Sequence, residues 1–140
     1  MNAVIVIAHA PLASALREAA LHVLADCAPD LQAVDVQASD APEASLADAR
    51  AALARCAGSE GVLILADVLG ATPCNVATRL LAGERTRLLA GVNLPMLLRS
   101  LCYRHEPLAA LAQRALAGGA GGVVEVPAPS ADQPANPTAP

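Results

Sequence analysis

Two six-residue stretches of this chain, AVIVIA at 3–8 and GVLILA at 61–66, contain no side chain able to hydrogen-bond, and this restricts the fold more than any other feature. A strand with one face in water alternates apolar and polar residues. An unbroken aliphatic run instead suits a strand covered on both faces, the usual position in a parallel sheet flanked by helices. Between the strand-like runs the apolar spacing is helical. Leu12, Leu16, Ala19, Ala20 and Val23 mark a first helix that Pro29 limits, and residues 31–36 read as a second, shorter strand. Leu46, Ala49, Leu53 and Cys56 mark a second helix that starts near Pro42 or Ser45 and stops at Gly58. A third is expected to open with Thr72 as N-cap and Pro73 in the first helical position, running to about Ala82 before Gly83 closes it. Residues 86–90 read as a fourth strand and 91–94 as a loop. Pro95 then opens a helix that Pro107 interrupts and that resumes through Leu108, Leu111 and Ala115. Gly118, Gly119, Gly121 and Gly122 read as a flexible hinge ahead of a last short strand at 123–126.

This alternation predicts an α/β fold: a three-layer sandwich with a mainly parallel central sheet of four strands and right-handed crossovers. A C-terminal antiparallel edge strand is expected in addition. Following a hinge, it is free to pair at an edge of its own sheet or on a partner subunit. The length of 140 residues fits one domain, expected at 1–126, with a Pro-rich tail at 127–140 expected to be disordered. One Tyr and no Phe or Trp accompany 55% hydrophobic residues, so aliphatic side chains and close backbone packing must fill the core.

Composition also excludes function classes. All nine cations are Arg and the formal net charge is -4, which argues against nucleic-acid affinity, since that needs clustered cations to displace counterions. No apolar run reaches the roughly 18 to 20 residues that cross a bilayer, and the N-terminus lacks signal-peptide features, so a cytoplasmic protein without membrane insertion is expected. Cys27, Cys56, Cys74 and Cys102 form no C-x-x-C pair and have no histidine at ligand spacing; they read as reduced thiols rather than a metal site. Neither G-x-G-x-x-G after the first strand nor G-x-x-x-x-G-K-[ST] is present. No organic cofactor is therefore expected.

In an open parallel sheet, functional groups gather beyond the carboxyl ends of the strands. His9 directly follows the first apolar run, Asp67 directly follows the third strand, and Asn93 lies just after the fourth. If strands one and three are neighbours, His9 and Asp67 face each other. A neutral imidazole, the main form at pH 7 for a pKa of about 6.5, offers one nitrogen lone pair to phosphorus. A carboxylate on the other ring N–H fixes the tautomer and stabilises the developing positive charge. The helix opening at Thr72 offers free N–H groups to phosphoryl oxygens, and the Thr72 hydroxyl either joins them or caps the helix. His22 and His105 have no comparable setting and read as surface residues.

Three ordered segments, IVIAHAPLASAL around His9, GVLILADVLGATPCNVA around Asp67 and GVNLPMLL from Gly91, resemble the mannose-class enzyme IIA domains of the bacterial phosphoenolpyruvate-dependent sugar phosphotransferase system. The resemblance covers about residues 2–126. It implies an α/β sandwich that forms a homodimer with the last strand exchanged between subunits. It implies that His9 is phosphorylated by the histidine-containing phosphocarrier protein and donates to a IIB component or a regulatory target. Asp67 then becomes the hydrogen-bond partner of His9, Thr72 a hydroxyl contact to the phosphoryl group, and Asn93 a residue of the phosphoryl-site wall. The chain departs from the family at Ala10, where Gly is usual, at Ala71 and Cys74, where a second Gly and an aromatic are common, and at Leu69, where Phe is frequent. These changes leave His9, Asp67 and the Thr72 hydroxyl intact and alter the surface that the resemblance implies for donor and acceptor. No IIB domain is attached, and the Pro-rich tail is too short to be one, so the permease is expected to lie on other chains or to be absent. The Lys-free, Ala- and Arg-rich composition fits a GC-rich genome, where such proteins also serve regulatory phosphotransfer. Two other readings compete: the phosphoryl-accepting subunit of a dihydroxyacetone kinase, and a non-catalytic module that senses phosphorylation state.

Overall fold

The sheet consists of β1 (Ala3–His9), β2 (Leu31–Val36), β3 (Val62–Ala66) and β4 (Thr86–Ala90), in a computed structural model that describes residues 1–130. All pairings are parallel and the spatial order is β2-β1-β3-β4. The helices are α1 (Leu12–Val23), α2 (Pro42–Arg55), α3 (Thr72–Thr78), α4 (Leu94–Cys102) and α5 (Leu108–Gly121). The two apolar runs lie side by side as β1 and β3, with Val4 opposite Leu63 and Val6 opposite Leu65. Covered on both faces, they have no use for a polar residue.

Period-two alternation divides their side chains between two cores. Val4, Val6, Ala8, Leu63 and Leu65 pack against α1, α4 and α5, while Ile5, Ile7 and Ile64 pack against α2 and α3. The helices meet the sheet mainly through small residues, Ala13 and Ala20 on one side, Ala49, Ala52 and Ala77 on the other. Backbone thus comes close enough to close the core without aromatic rings. Ile5, Ile7, Leu63, Ile64 and Leu65 are each 0% exposed, and burial of each such side chain contributes about 1.5 to 3 kcal/mol.

The amino end of β1 is sealed. Asn2 is buried; its Nδ2 donates to the carbonyls of Arg104 (3.0 Å) and Glu106 (2.6 Å), and its backbone N–H donates to Arg104 O at 2.9 Å. Gly61, at the start of the neighbouring run, sits so close that an added Cβ would lie 2.7 Å from Asn2 Oδ1. Beyond α4, Tyr103, the chain's sole aromatic residue, lies under the Arg114 guanidinium, 4.2 Å from the ring centre. Arg114 in turn holds Glu106 through two bonds of 2.8 and 3.0 Å.

Three sequence expectations change. The glycines at 118–121 are helical, forming the end of α5 rather than a hinge. A Cβ on Gly118 would lie 2.8 Å from Arg99 Cβ, and one on Gly119 would lie 2.7 Å from Met96 Cε. The absence of side chains lets α4 approach, and that packing outweighs glycine's low helix propensity. Residues 123–126 form no strand in the described chain: after Gly122 the backbone leaves α5 and finds no partner, and Val123, Val124 and Val126 are exposed. The third helix ends at Thr78 rather than about Ala82, because the N–H groups of Arg79, Leu80 and Leu81 bond three residues back and tighten the chain toward β4. Of the Pro-rich tail, 127–130 is exposed and irregular, and the expectation for 131–140 lies outside the described residues. No helix among the described residues is long and apolar enough to cross a membrane.

Candidate functional site

The chain runs from β1 to β2 on one side of the sheet and returns to place β3 on the other, so a crevice opens between β1 and β3 at their carboxyl ends. His9 ends β1 and Asp67 follows β3 directly. Asp67 Oδ2 accepts the backbone N–H of His9 at 2.9 Å and lies 2.6 Å from His9 Nδ1, while Oδ1 accepts the Val68 N–H at 2.9 Å. The two residues differ in exposure: the Asp67 side chain is 11% exposed and that of His9 is 52%. Burial pushes the Asp67 carboxyl up, but the bonds from the His9 N–H, the imidazole and the Val68 N–H outweigh it and hold the pKa below the ordinary value. Asp67 therefore stays a carboxylate. A carboxylate that already accepts the adjacent N–H orients the ring with Nδ1–H toward itself and leaves Nε2 with the free lone pair.

The loops around this pair are shaped by two left-handed glycines. Gly70 has φ 88° between Asp67 and α3, and Gly91 has φ 87° between β4 and α4, a conformation that strains any residue with a Cβ. Gly91 N–H donates to Asp67 O at 3.1 Å and Val92 N–H to Ala66 O at 3.0 Å, which fastens the β4–α4 loop beside the acid.

Thr72 is the first residue of α3 rather than its N-cap; Ala71 takes that position without a side-chain bond. The exposed Thr72 hydroxyl is thus released from capping. Among the described residues no hydrogen bond joins Thr72 to His9 or Asp67, so α3's position after the Asp67 loop is what brings it to this end of the sheet. Asn93 uses its carbonyl oxygen and one of its two amide N–H groups within the fold. Its Oδ1 accepts the Met96 N–H at 2.9 Å and caps α4, and its Nδ2 donates to Gly119 O at 3.0 Å. These two bonds tie the start of α4 to the end of α5.

Sequence reasoning also missed a second carboxylate beside the site. Asp35 of β2 accepts the Ser14 N–H at 3.1 Å and the Ser14 hydroxyl in the first turn of α1. The signal was present: Asp35 is the lone charge in LQAVDV, and a charge inside a half-buried strand needs a partner. Cys27 and Cys56 are buried thiols whose pKa burial raises, which suits inert packing. Cys74 is likewise buried in α3. Among the described residues no group of three or more His, Cys, Asp or Glu is disposed to hold a metal.

Comparison with known proteins gives this arrangement a context. The family model described as the PTS system fructose IIA component, EIIA-man, matches residues 3–115. The mannose/sorbose specific IIA subunit from Enterococcus faecalis is 25% identical, with a TM-score of 0.82 over 92% of this chain and 97% of that one. The phosphotransferase system component EIIA from Streptococcus agalactiae is also 25% identical, with a TM-score of 0.74 over 89% and 97%. The PTS IIA protein associated with the fucose utilization operon of Streptococcus pneumoniae, 16% identical, shares the fold with a TM-score of 0.72 over 89% and 92%. No curated protein matches. With most of its length inside the family model and its His/Asp crevice on the same fold, the chain belongs to the EIIA-man family of phosphotransferase-system IIA components.

Proposed function

We propose that this protein is a phosphocarrier in which His9 Nε2 accepts a phosphoryl group from the histidine-containing phosphocarrier protein and passes it to a IIB component or a regulatory target. The observation that carries the reading is the 2.6 Å contact between His9 Nδ1 and the Asp67 carboxylate, beneath an imidazole open to solvent. In the transfer the P–N bond of the donor's phosphohistidine breaks as a P–N bond forms at His9 Nε2, and the donor imidazole leaves. The Nδ1 proton stays on the ring. Asp67 holds it and offsets the positive charge that develops on the imidazole. The Thr72 hydroxyl takes a phosphoryl oxygen, whereas Asn93 acts as a wall that fixes the loop. This chain then needs no metal or organic cofactor, and the reaction runs in the cytoplasm.

We further place the phosphocarrier domain at 1–126 and read 123–126 as the strand exchanged in a homodimer. Three exposed valines support this, as does a β4 outer edge that, among the described residues, has no neighbour in the sheet. The names of the relatives favour a sugar phosphotransferase chain over a dihydroxyacetone kinase partner. The test is incubation with phosphoenolpyruvate, enzyme I and the phosphocarrier protein, followed by intact mass of wild type and His9→Ala. One acid-labile phosphoryl group on wild type and none on a folded variant is expected. Labelling that survives the substitution, or wild type that stays unlabelled by active donors, overturns the reading.

A further inference from the structure

The two helical layers do not cover β3 and β4 equally. On one face α4 and α5 pack on them together, whereas on the other the cover comes from α2 and the short α3. α3 starts at the carboxyl end of the sheet and stops at Thr78 after seven residues, about 10 Å of helix, while β4 alone runs about 16 Å. The amino ends of β3 and β4 are therefore left to the last turns of α2 and to the turn that follows α3. Between these a cavity of about 360 Å³ opens, at the end of the sheet opposite His9. Its floor is aliphatic, built from Leu53, Cys56, Val62 and Leu80. The polar atoms in its wall are already engaged. The Cys56 thiol donates to Ala52 O at 3.4 Å, and the Thr86 hydroxyl accepts the Ala82 N–H at 2.7 Å and donates to Ala82 O at 3.3 Å.

Two exposed cations stand against this floor, Arg50 and Arg85. Neither has a carboxylate partner among the described residues. Arg85 is held by carbonyls, its Nη2 donating to Ser59 O at 2.8 Å and its Nε to Glu60 O at 3.5 Å, so its charge is fixed in place without being neutralised. The acids beside it in sequence or space are engaged elsewhere: Glu60 pairs with the amino terminus at 3.5 Å, and Glu84 lines a separate groove along β4. In a chain of net charge -4 this pair of guanidinium groups is a local exception.

Small-ligand sites are mostly apolar concavities with a few placed polar groups, and a guanidinium matches a carboxylate in shape and charge. We infer that this cavity binds a small aliphatic carboxylate, with its hydrocarbon body on the floor and its anionic head between Arg50 and Arg85. An inorganic anion has no use for the aliphatic floor, and a neutral hydrocarbon leaves both cations unpaired. A peptide backbone would lie on a floor that offers it no free hydrogen-bonding group. The site does not depend on the phosphocarrier reading.

The test is calorimetric titration of the full chain with octanoate and, separately, with octanol, while backbone amide NMR shifts locate the ligand. Saturable octanoate binding that moves the amides of Leu53, Cys56 and Leu80, about tenfold tighter than octanol, is expected. Arg50→Gln should weaken octanoate by about tenfold and leave octanol unchanged. Ala54→Leu, which puts a larger side chain into the cavity wall, should weaken both. Each of these two positions is exposed, so the variants keep the fold. Wild type that binds no octanoate, equal affinity for acid and alcohol, or shifts confined to other surfaces overturns the inference. Octanoate binding that appears only on dilution to the monomer overturns it too, because a second copy of the chain is then the occupant.

Discussion

The two ends of the β1–β3 pair share one aliphatic ladder but finish it in opposite ways. At the amino end Asn2 is buried and its amide is tied to two carbonyls, with Gly61 pressed against it. At the carboxyl end the polar pair is arranged the other way: the acid is covered and accepts three hydrogen bonds, and the base is left half in water. A satisfied buried amide fixes structure. A histidine anchored through one nitrogen and bare at the other is what the proposed phosphotransfer calls for.

The contrast predicts that substitutions at the open end alter transfer and those at the closed end alter stability. The largest effect is expected for Asp67→Ala, which leaves the nucleophile in place but removes its orienting acid. Phosphotransfer through His9 should fall by about a hundredfold or more, measured as the initial rate of labelling, with the fold kept by circular dichroism. A rate near wild type would break the comparison at its functional end.

Gly61→Ala should do the reverse. The new Cβ meets Asn2 Oδ1 at 2.7 Å and Leu108 Cδ2 at 3.2 Å, an overpacking expected to cost about 1 to 3 kcal/mol in denaturant unfolding. Labelling per folded molecule should not change. A variant as stable as wild type would show that the amino end is looser than its contacts imply.

The smallest effect is in acid. The native Asp67 pKa lies below its ordinary value, so its bonds stabilise the fold fully above the unfolded carboxylate pKa of about 3.9, and that stabilisation fades as pH falls through the native value. Asp67→Asn should flatten this part of the acid limb in chemical unfolding followed against pH. Parallel limbs would mean that the carboxylate contributes nothing to the fold.

Much of this was legible in the chain itself. Two runs without polar side chains required a doubly covered parallel sheet, and polar residues directly after those runs had to arrive at one end of it. What escaped depended on contacts between distant segments. The glycines near 118–122 read as a hinge because their reason for being small is the approach of Arg99, Met96 and Pro95 from α4. Asp35 acquires its partner only when β2 lies beside β1 in the register that sets it opposite Ala8. Thr72 and Asn93 each carry a side chain suited both to capping and to an anion, and local sequence has no means of ranking those uses. Backbone geometry shows only the capping half: Ala71 holds the cap position of α3 and Asn93 that of α4.

The packing of Tyr103 against Arg114 has an optical consequence. With one Tyr and no Phe or Trp in the chain, near-ultraviolet absorption and intrinsic emission report on the turn between α4 and α5 alone. Both cores and the His9 crevice are silent in that window. Leu69, 81% exposed in the loop that leads from Asp67 into α3, is the position where an introduced indole would give the His9 end a colour of its own, red-shifted from that of Tyr103.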